Sequence, residues 1–262
     1  MGNNFLYKMS LKFRQYGFIY RFALKFYKKL FLLKYRLMSS FTNKTIIHML
    51  HIGKTGGTAI KYALNNNRKP YINSKFIIIS HNHSFCLRDI RSKEKCFFFI
   101  REPIDRFVSG FYSRKRKGYP KFNNRWNLDE EIAFKNFNTP NALALALTSE
   151  DTNIKQKAIN AMNGITHVKS SYWDWFGNEK YFKSRISDII FIGTQKNLGN
   201  DFIKLKKILL LPKGLKLPTD NVNSHKNSEL VDKNLDLESI ENLKKWYAKD
   251  LYFIELLKEN KL

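Results

Sequence analysis

Residues 51–58 read His-Ile-Gly-Lys-Thr-Gly-Gly-Thr, directly after the apolar run 45–50 and ahead of a helix-forming stretch from Ala59. A strand, then a loop bearing Lys, Gly and Thr, then a helix is the architecture of a phosphate cradle. Backbone N–H groups and the positive helix end face the anion, glycines allow close approach, and Lys54 adds a point charge. The stretch is not a Walker A motif. Gly53-Lys54-Thr55 supplies its second half, but the opening glycine falls on His48. A purely structural strand-to-helix turn is the competing reading, and Lys54 beside Thr55-Gly56-Gly57-Thr58 favours the anion.

A second stretch, Arg101-Glu102-Pro103-Ile104-Asp105-Arg106-Phe107-Val108-Ser109-Gly110, follows the apolar run 95–100. Where a nucleotide-hydrolysing P-loop protein places an Asp to help hold magnesium, this chain has Arg101, which binds an anion directly. Pro103 suits the first turn of a helix. Ser109 then falls about two turns along, on the side of Glu102 and Arg106, so Arg101 and the Ser109 hydroxyl can share one phosphate. Arg106 reads as structural, paired with an acid such as Asp105 or Glu130. The basic run 114–117 reads as a solvated helix end that can also guide an anion. His51 and His167 read as packing residues, and Trp173 and Trp175 as core rather than as sugar-stacking platforms.

These residues need strands behind them. Runs 45–50, 75–80, 95–100 and 188–192 are continuously apolar, as strands buried on both faces of a parallel sheet are. Helical patterns follow from Ala59 and at 104–115, a helical insert of roughly 70 residues separates the third and fourth strands, and 237–258 reads as a terminal helix. Residues 221–227 read as a polar loop. The expected fold is α/β: a P-loop NTPase-like parallel sheet flanked by helices, with a helical insert. The chain has 262 residues, 43% of them hydrophobic, so disorder is excluded. Its net charge of +25 directs attention to polyanions. The two cysteines, Cys86 and Cys96, rule out a disulfide framework and a Cys-based zinc site, and they suit a reducing compartment.

Taken together, residues 51–58 and the stretch Phe97–Arg114 some fifty residues later resemble the sulfotransferases that use 3′-phosphoadenosine-5′-phosphosulfate. The closer likeness is to the bacterial carbohydrate-type branch related to heparan sulfate 2-O-sulfotransferase, and it extends over most of residues 45–255. The resemblance implies that Lys54, Thr55, Gly56, Gly57 and Thr58 grip the 5′-phosphosulfate, and that Arg101 and Ser109 grip the 3′-phosphate. The family loop often has Pro before the Lys, where this chain has Gly53, a change that removes no phosphate ligand. Sulfuryl transfer needs a base and a positive group at the departing phosphate oxygen, the latter assigned to Lys54. The family commonly carries a His after the second strand, and this chain has Ser80-His81-Asn82-His83. His81 matches that position best and His83 is the second candidate. One of the two is expected to face the site. No Cys or acid follows at a spacing that would make them a zinc site, and no metal is expected. The implied reaction moves a sulfuryl group to a hydroxyl of a carbohydrate.

Two other classes remain beside it. An ATP- or GTP-dependent phosphotransferase would need a magnesium-holding Asp that is not visible, and a non-catalytic module for nucleic acid or membrane would need only the charge. No specific nucleic-acid signature accompanies that charge. Residues 1–40 form a separate basic arm before a domain at 41–262. The arm carries nine Lys/Arg, eleven aromatics and no acid; subtracting it from the net charge leaves +16 on the rest. Phe18, Phe22 and Phe26 recur at helical spacing, with Leu11, Leu30 and Phe31 extending the apolar set. Two readings stay open: a helix in peripheral contact with an anionic membrane, or a helix packed on the domain. No apolar run is long enough to span a bilayer. The expected location is cytoplasmic, on the inner face of a membrane if the arm binds lipid.

Overall fold

A computed structural model describes residues 17–64, 69–220 and 231–260, with side chains from Phe22 onward. The polar loop expected at 221–227, together with Leu11 and the Phe18 side chain, lies outside these described residues. The first element among the described residues is helix α1 (Gly17–Thr42). It is built from good helix formers with no proline. It stops where Asn43 turns left-handed at φ 51° and the Lys44 N–H donates to the Ser39 carbonyl at 3.3 Å, a Schellman-type closure.

Strand β1 (Thr45–Leu50) follows, then α2 (Gly57–Leu64), β2 (Tyr71–Ile72), β3 (Phe76–Ser80), β4 (Lys95–Ile100) and, far along the chain, β5 (Ile189–Thr194). The strands lie in the order β2-β3-β1-β4-β5. All pairings are parallel except β2 with β3 at one edge. The molecule is therefore mixed α/β, with a central parallel sheet flanked by helices. Strand β2 gives no signal in the sequence, because two residues are too short for any periodicity.

Between β4 and β5 the chain forms α3 (Pro103–Lys115), α4 (Leu128–Asn136), α5 (Pro140–Leu145), α6 (Thr152–Gly164), α7 (Trp173–Phe176) and α8 (Glu179–Ser184). Side-chain caps start four of them: Asn127 and Glu130 close a capping box on α4, the Asp151 carboxylate accepts from two N–H groups of α6, and Thr139 and Asn178 each accept an N–H from the first turn of α5 and α8. After β5 come α9 (Leu198–Ile208), α10 (Leu237–Trp246) and α11 (Ala248–Glu259). The last two replace the single helix expected at 237–258. The break falls at Tyr247, whose buried hydroxyl donates to the Val168 carbonyl at 2.8 Å.

Sheet, α2 and α9 enclose one core around Ile47, Met49, Phe97, Phe99 and Phe202. The opposite face packs Leu50, Phe98, Tyr172, Phe176 and Phe253. Because β1 is central, with β3 on one side and β4 on the other, the chain reverses its winding there. Such a reversal opens a crevice at the carboxyl ends of β1 and β4.

Helix α1 is not a detached arm. Leu32 is buried against Ile46, Ile77, Ile79 and Phe85, with Phe31, Tyr35 and Met38 packed beside it. Two ion pairs fasten the helix: Lys28 to Asp89 at 2.5 Å and Arg36 to Glu94 at 2.5 and 2.8 Å.

Candidate functional site

The β1–α2 turn lines a cavity of about 880 Å³ at the carboxyl end of the sheet. The backbone reaches it by two left-handed residues, Lys54 at φ 69° and Gly56 at φ 87°. A non-glycine residue held at positive φ is uncommon and concentrates at functional turns. A backbone that turns this way can aim successive N–H groups into one concavity, the arrangement of an anion-binding nest. Gly57 is needed for a different reason: a Cβ there would sit 2.2 Å from Cδ2 of His51. The Thr55 hydroxyl turns inward and donates to the Ile52 carbonyl at 3.0 Å, so Thr55 holds the turn closed while Thr58 lines the cavity.

Opposite the nest, Arg101 leaves the end of β4 and Ser109 lies on α3; both line the same cavity. The Arg101 backbone is held at both ends by one phenol, since its N–H donates to the Tyr172 hydroxyl at 2.9 Å and that hydroxyl donates to its carbonyl at 2.5 Å. Tyr172 is in turn fixed by Asp250, which accepts its N–H at 2.9 Å and pairs with Arg106 at 2.6 Å. The Arg101 Nε is buried without a hydrogen-bond partner among the described residues, an orphan donor on a residue that lines a cavity of small-molecule size. Burial, then the nearby Arg116 and Arg101, push the Lys54 ammonium down to about 7. No carboxylate among the described residues lines the cavity. Among the described residues no cluster of His, Cys, Asp and Glu could hold a metal ion.

Two more histidines, His51 and His167, line the cavity beside His83. The His83 Nδ1 lies 2.9 Å from the His51 carbonyl oxygen. That oxygen only accepts, so Nδ1 carries the proton and Nε2 is the basic nitrogen. The His83 carbonyl accepts from Trp175 Nε1 at 3.2 Å, and the His51 ring packs at 4.0 Å between centroids. The surrounding protein, then Lys61 and Lys54, push His83 down to about 4. Water in the open cavity screens part of that effect. His83 is therefore neutral at pH 7.

A sulfotransferase family model matches residues 38–253. The chain belongs to the sulfotransferase family. A search of curated proteins finds none that matches. The family match begins inside α1 and ends in α11, so it spans every element that lines the cavity of this sulfotransferase.

The cavity gathers Lys54, Gly56, Gly57, Thr58, Arg101, Ser109 and His83 from the residues singled out in the sequence. His81 departs from expectation. It is 2% exposed, hydrogen-bonded to His48 at 2.9 Å and stacked on Phe85, behind the strand rather than in the cavity. Strand alternation would put two residues two places apart on one side, but β3 ends at Ser80 and the chain turns at Asn82, whose Oδ1 accepts the Ser84 N–H at 3.0 Å and whose carbonyl accepts the Phe85 N–H at 3.2 Å. The turn leaves His81 against α1 and His83 facing the site.

Arg106 is structural as expected, but its partner is Asp250 rather than Asp105 or Glu130. Glu130 instead takes Arg114 in a two-pronged pair at 2.6 Å, so Arg114 is buried and not part of a solvated helix end. Trp175 is core, and Trp173 packs on Phe253. Tyr172 and Asp250 were missed because neither stands near a motif; only the packing of α7 and α11 brings them under Arg101.

Proposed function

We propose that this sulfotransferase moves a sulfuryl group from 3′-phosphoadenosine-5′-phosphosulfate to a hydroxyl of a carbohydrate. The observation that carries the reading is the convergence, in one cavity lined by no carboxylate among the described residues, of the Lys54 turn, the orphan donor of Arg101 and the neutral base His83. The β1–α2 turn then serves as a P-loop-like cradle, and the helices after α3 serve as the insert that shapes the acceptor side, where Asn124 and His167 reach the wall.

Bound there, the donor supplies an activated sulfuryl group on a phosphate that departs with negative charge. The N–H groups of the nest, the Thr58 hydroxyl and the Lys54 ammonium hold the 5′ end and bear the charge that develops on it. Arg101 and Ser109 hold the 3′-phosphate, and Tyr172 keeps Arg101 in place through its backbone. His83 takes the proton of the acceptor hydroxyl at Nε2, while the His51 carbonyl keeps its other nitrogen protonated. The residues fit the group, and no carboxylate is needed for a metal.

Calorimetry with 3′,5′-adenosine bisphosphate and with ATP, each with and without magnesium, tests the reading. The bisphosphate is expected to bind in the absence of magnesium. Arg101→Ala is expected to weaken it far more than it weakens a nucleotide lacking the 3′-phosphate. Magnesium-dependent binding of ATP alone would replace this reading with a phosphotransferase.

A further inference from the structure

Helix α1 has two apolar faces, and the fold uses one of them. Phe31, Leu32, Tyr35 and Met38 pack on the sheet. On the other side Phe22, Phe26, Leu30, Leu33, Leu37 and Phe41 are between 49% and 88% exposed. At about 100° per residue these six fall within an arc of about 100° centred opposite the packed face, and from Phe22 to Phe41 they form a ridge about 28 Å long. Exposed lysines flank it: Lys25 and Lys29 on one side and Lys34 on the other. The other two cations in this part of the helix, Lys28 and Arg36, are taken by Asp89 and Glu94. Residues 1–42 contain no acid.

We propose that this ridge lies in the plane of an anionic lipid surface, with its Phe and Leu side chains in the acyl boundary and Lys25, Lys29 and Lys34 at the headgroups. A helix with a strong apolar stripe, lysines at its margins and a fixed opposite face has the form of an interfacial anchor. Among the described residues no helix is long and apolar enough to cross a membrane, so contact is parallel to the surface. A second copy of the chain fits this ridge worse. Two-fold pairing through it would set lysines against lysines with no carboxylate on either helix, on molecules that each carry +25. Lipid phosphates and carboxylates satisfy the apolar stripe and the flanking charge together.

The test uses the full chain, sedimented with phosphatidylcholine vesicles that contain or lack phosphatidylserine. Wild type is expected to partition onto the anionic vesicles and to be released by high salt. Phe26→Asp with Leu33→Asp, both at exposed positions, is expected to lower the partition coefficient at least about tenfold with an unchanged thermal midpoint. Lys25→Ala and Lys29→Ala are each expected to lower it about fivefold. Equal partition onto both vesicle types, or ridge variants that bind as wild type does, would overturn the proposal. So would a dimer, seen by analytical ultracentrifugation without lipid, that the ridge variants dissociate.

Discussion

Lys54 and His83 divide the chemistry of the cavity, and each can be questioned separately. Lys54 sits near 7 in the free protein because burial and two arginines disfavour its charge. A bound polyanion restores the charge, so binding of 3′,5′-adenosine bisphosphate is expected to take up a proton. The uptake grows as pH rises from 7 to 8, because the free ammonium is then increasingly deprotonated, and affinity declines over the same range. Calorimetry in buffers of different ionisation enthalpy measures this, and Lys54→Ala is expected to abolish both the uptake and most of the affinity. His83→Asn is expected to lower kcat by about 10²–10⁴-fold. The acid limb of kcat/KM should lie below the ordinary histidine value of 6.5, towards 4, since His83 stays neutral there. His81→Asn is the control. It is expected to lower the thermal midpoint through loss of the His48 contact while leaving kcat within a few-fold; steady-state kinetics showing the reverse would return the base to His81.

At the scale of elements, α1 is both part of the core and the carrier of an unused face. Deleting residues 1–40 would expose Leu32's neighbours Ile46, Ile77 and Ile79 and leave Asp89 and Glu94 without their cations. The truncated chain is therefore expected to unfold or aggregate rather than to behave as an armless enzyme, and its circular dichroism and melting profile would show this. A stable, active truncation would mean that the α1 packing contributes little. Deeper in the fold, Asp250 joins α11 to Arg106 of α3 and to the Tyr172 that clamps Arg101. Asp250→Ala leaves Arg106 buried without its carboxylate, and it is expected to destabilise the protein by about 3–5 kcal/mol.

The whole molecule carries several depressed histidines. His48, His51 and His81 are buried, and burial lowers each of them. An unfolded histidine takes up a proton near pH 6.5, whereas these remain neutral in the folded state to lower pH. The unfolded state thus binds more protons below 6.5, and stability is lost as pH falls through that value. Urea midpoints are expected to drop between pH 7.5 and pH 5.5, and His48→Gln is expected to reduce the drop. A flat profile over that interval would mean that these rings protonate within the fold.

The sequence by itself determined the parts that depend on neighbours along the chain. Apolar runs such as 95–100 specify strands, because burial on both faces needs nothing but continuous apolar side chains. The turn at 51–58 carries its own geometry in Lys54, Gly56 and Gly57, and Pro103 starts the helix that holds Ser109. Tertiary structure alone decided which of His81 and His83 faces the cavity, since residues two apart on a strand would share a side and it is the turn at Asn82 that sends His81 towards α1 and His83 into the cavity. It also decided that Arg106 meets Asp250, a residue 144 positions away, and that Tyr172 clamps Arg101. It split one apolar helix into a packed face and an open one, because the spacing of Phe22, Phe26, Leu30 and Phe31 states that the helix has apolar faces but not which of them the sheet will cover.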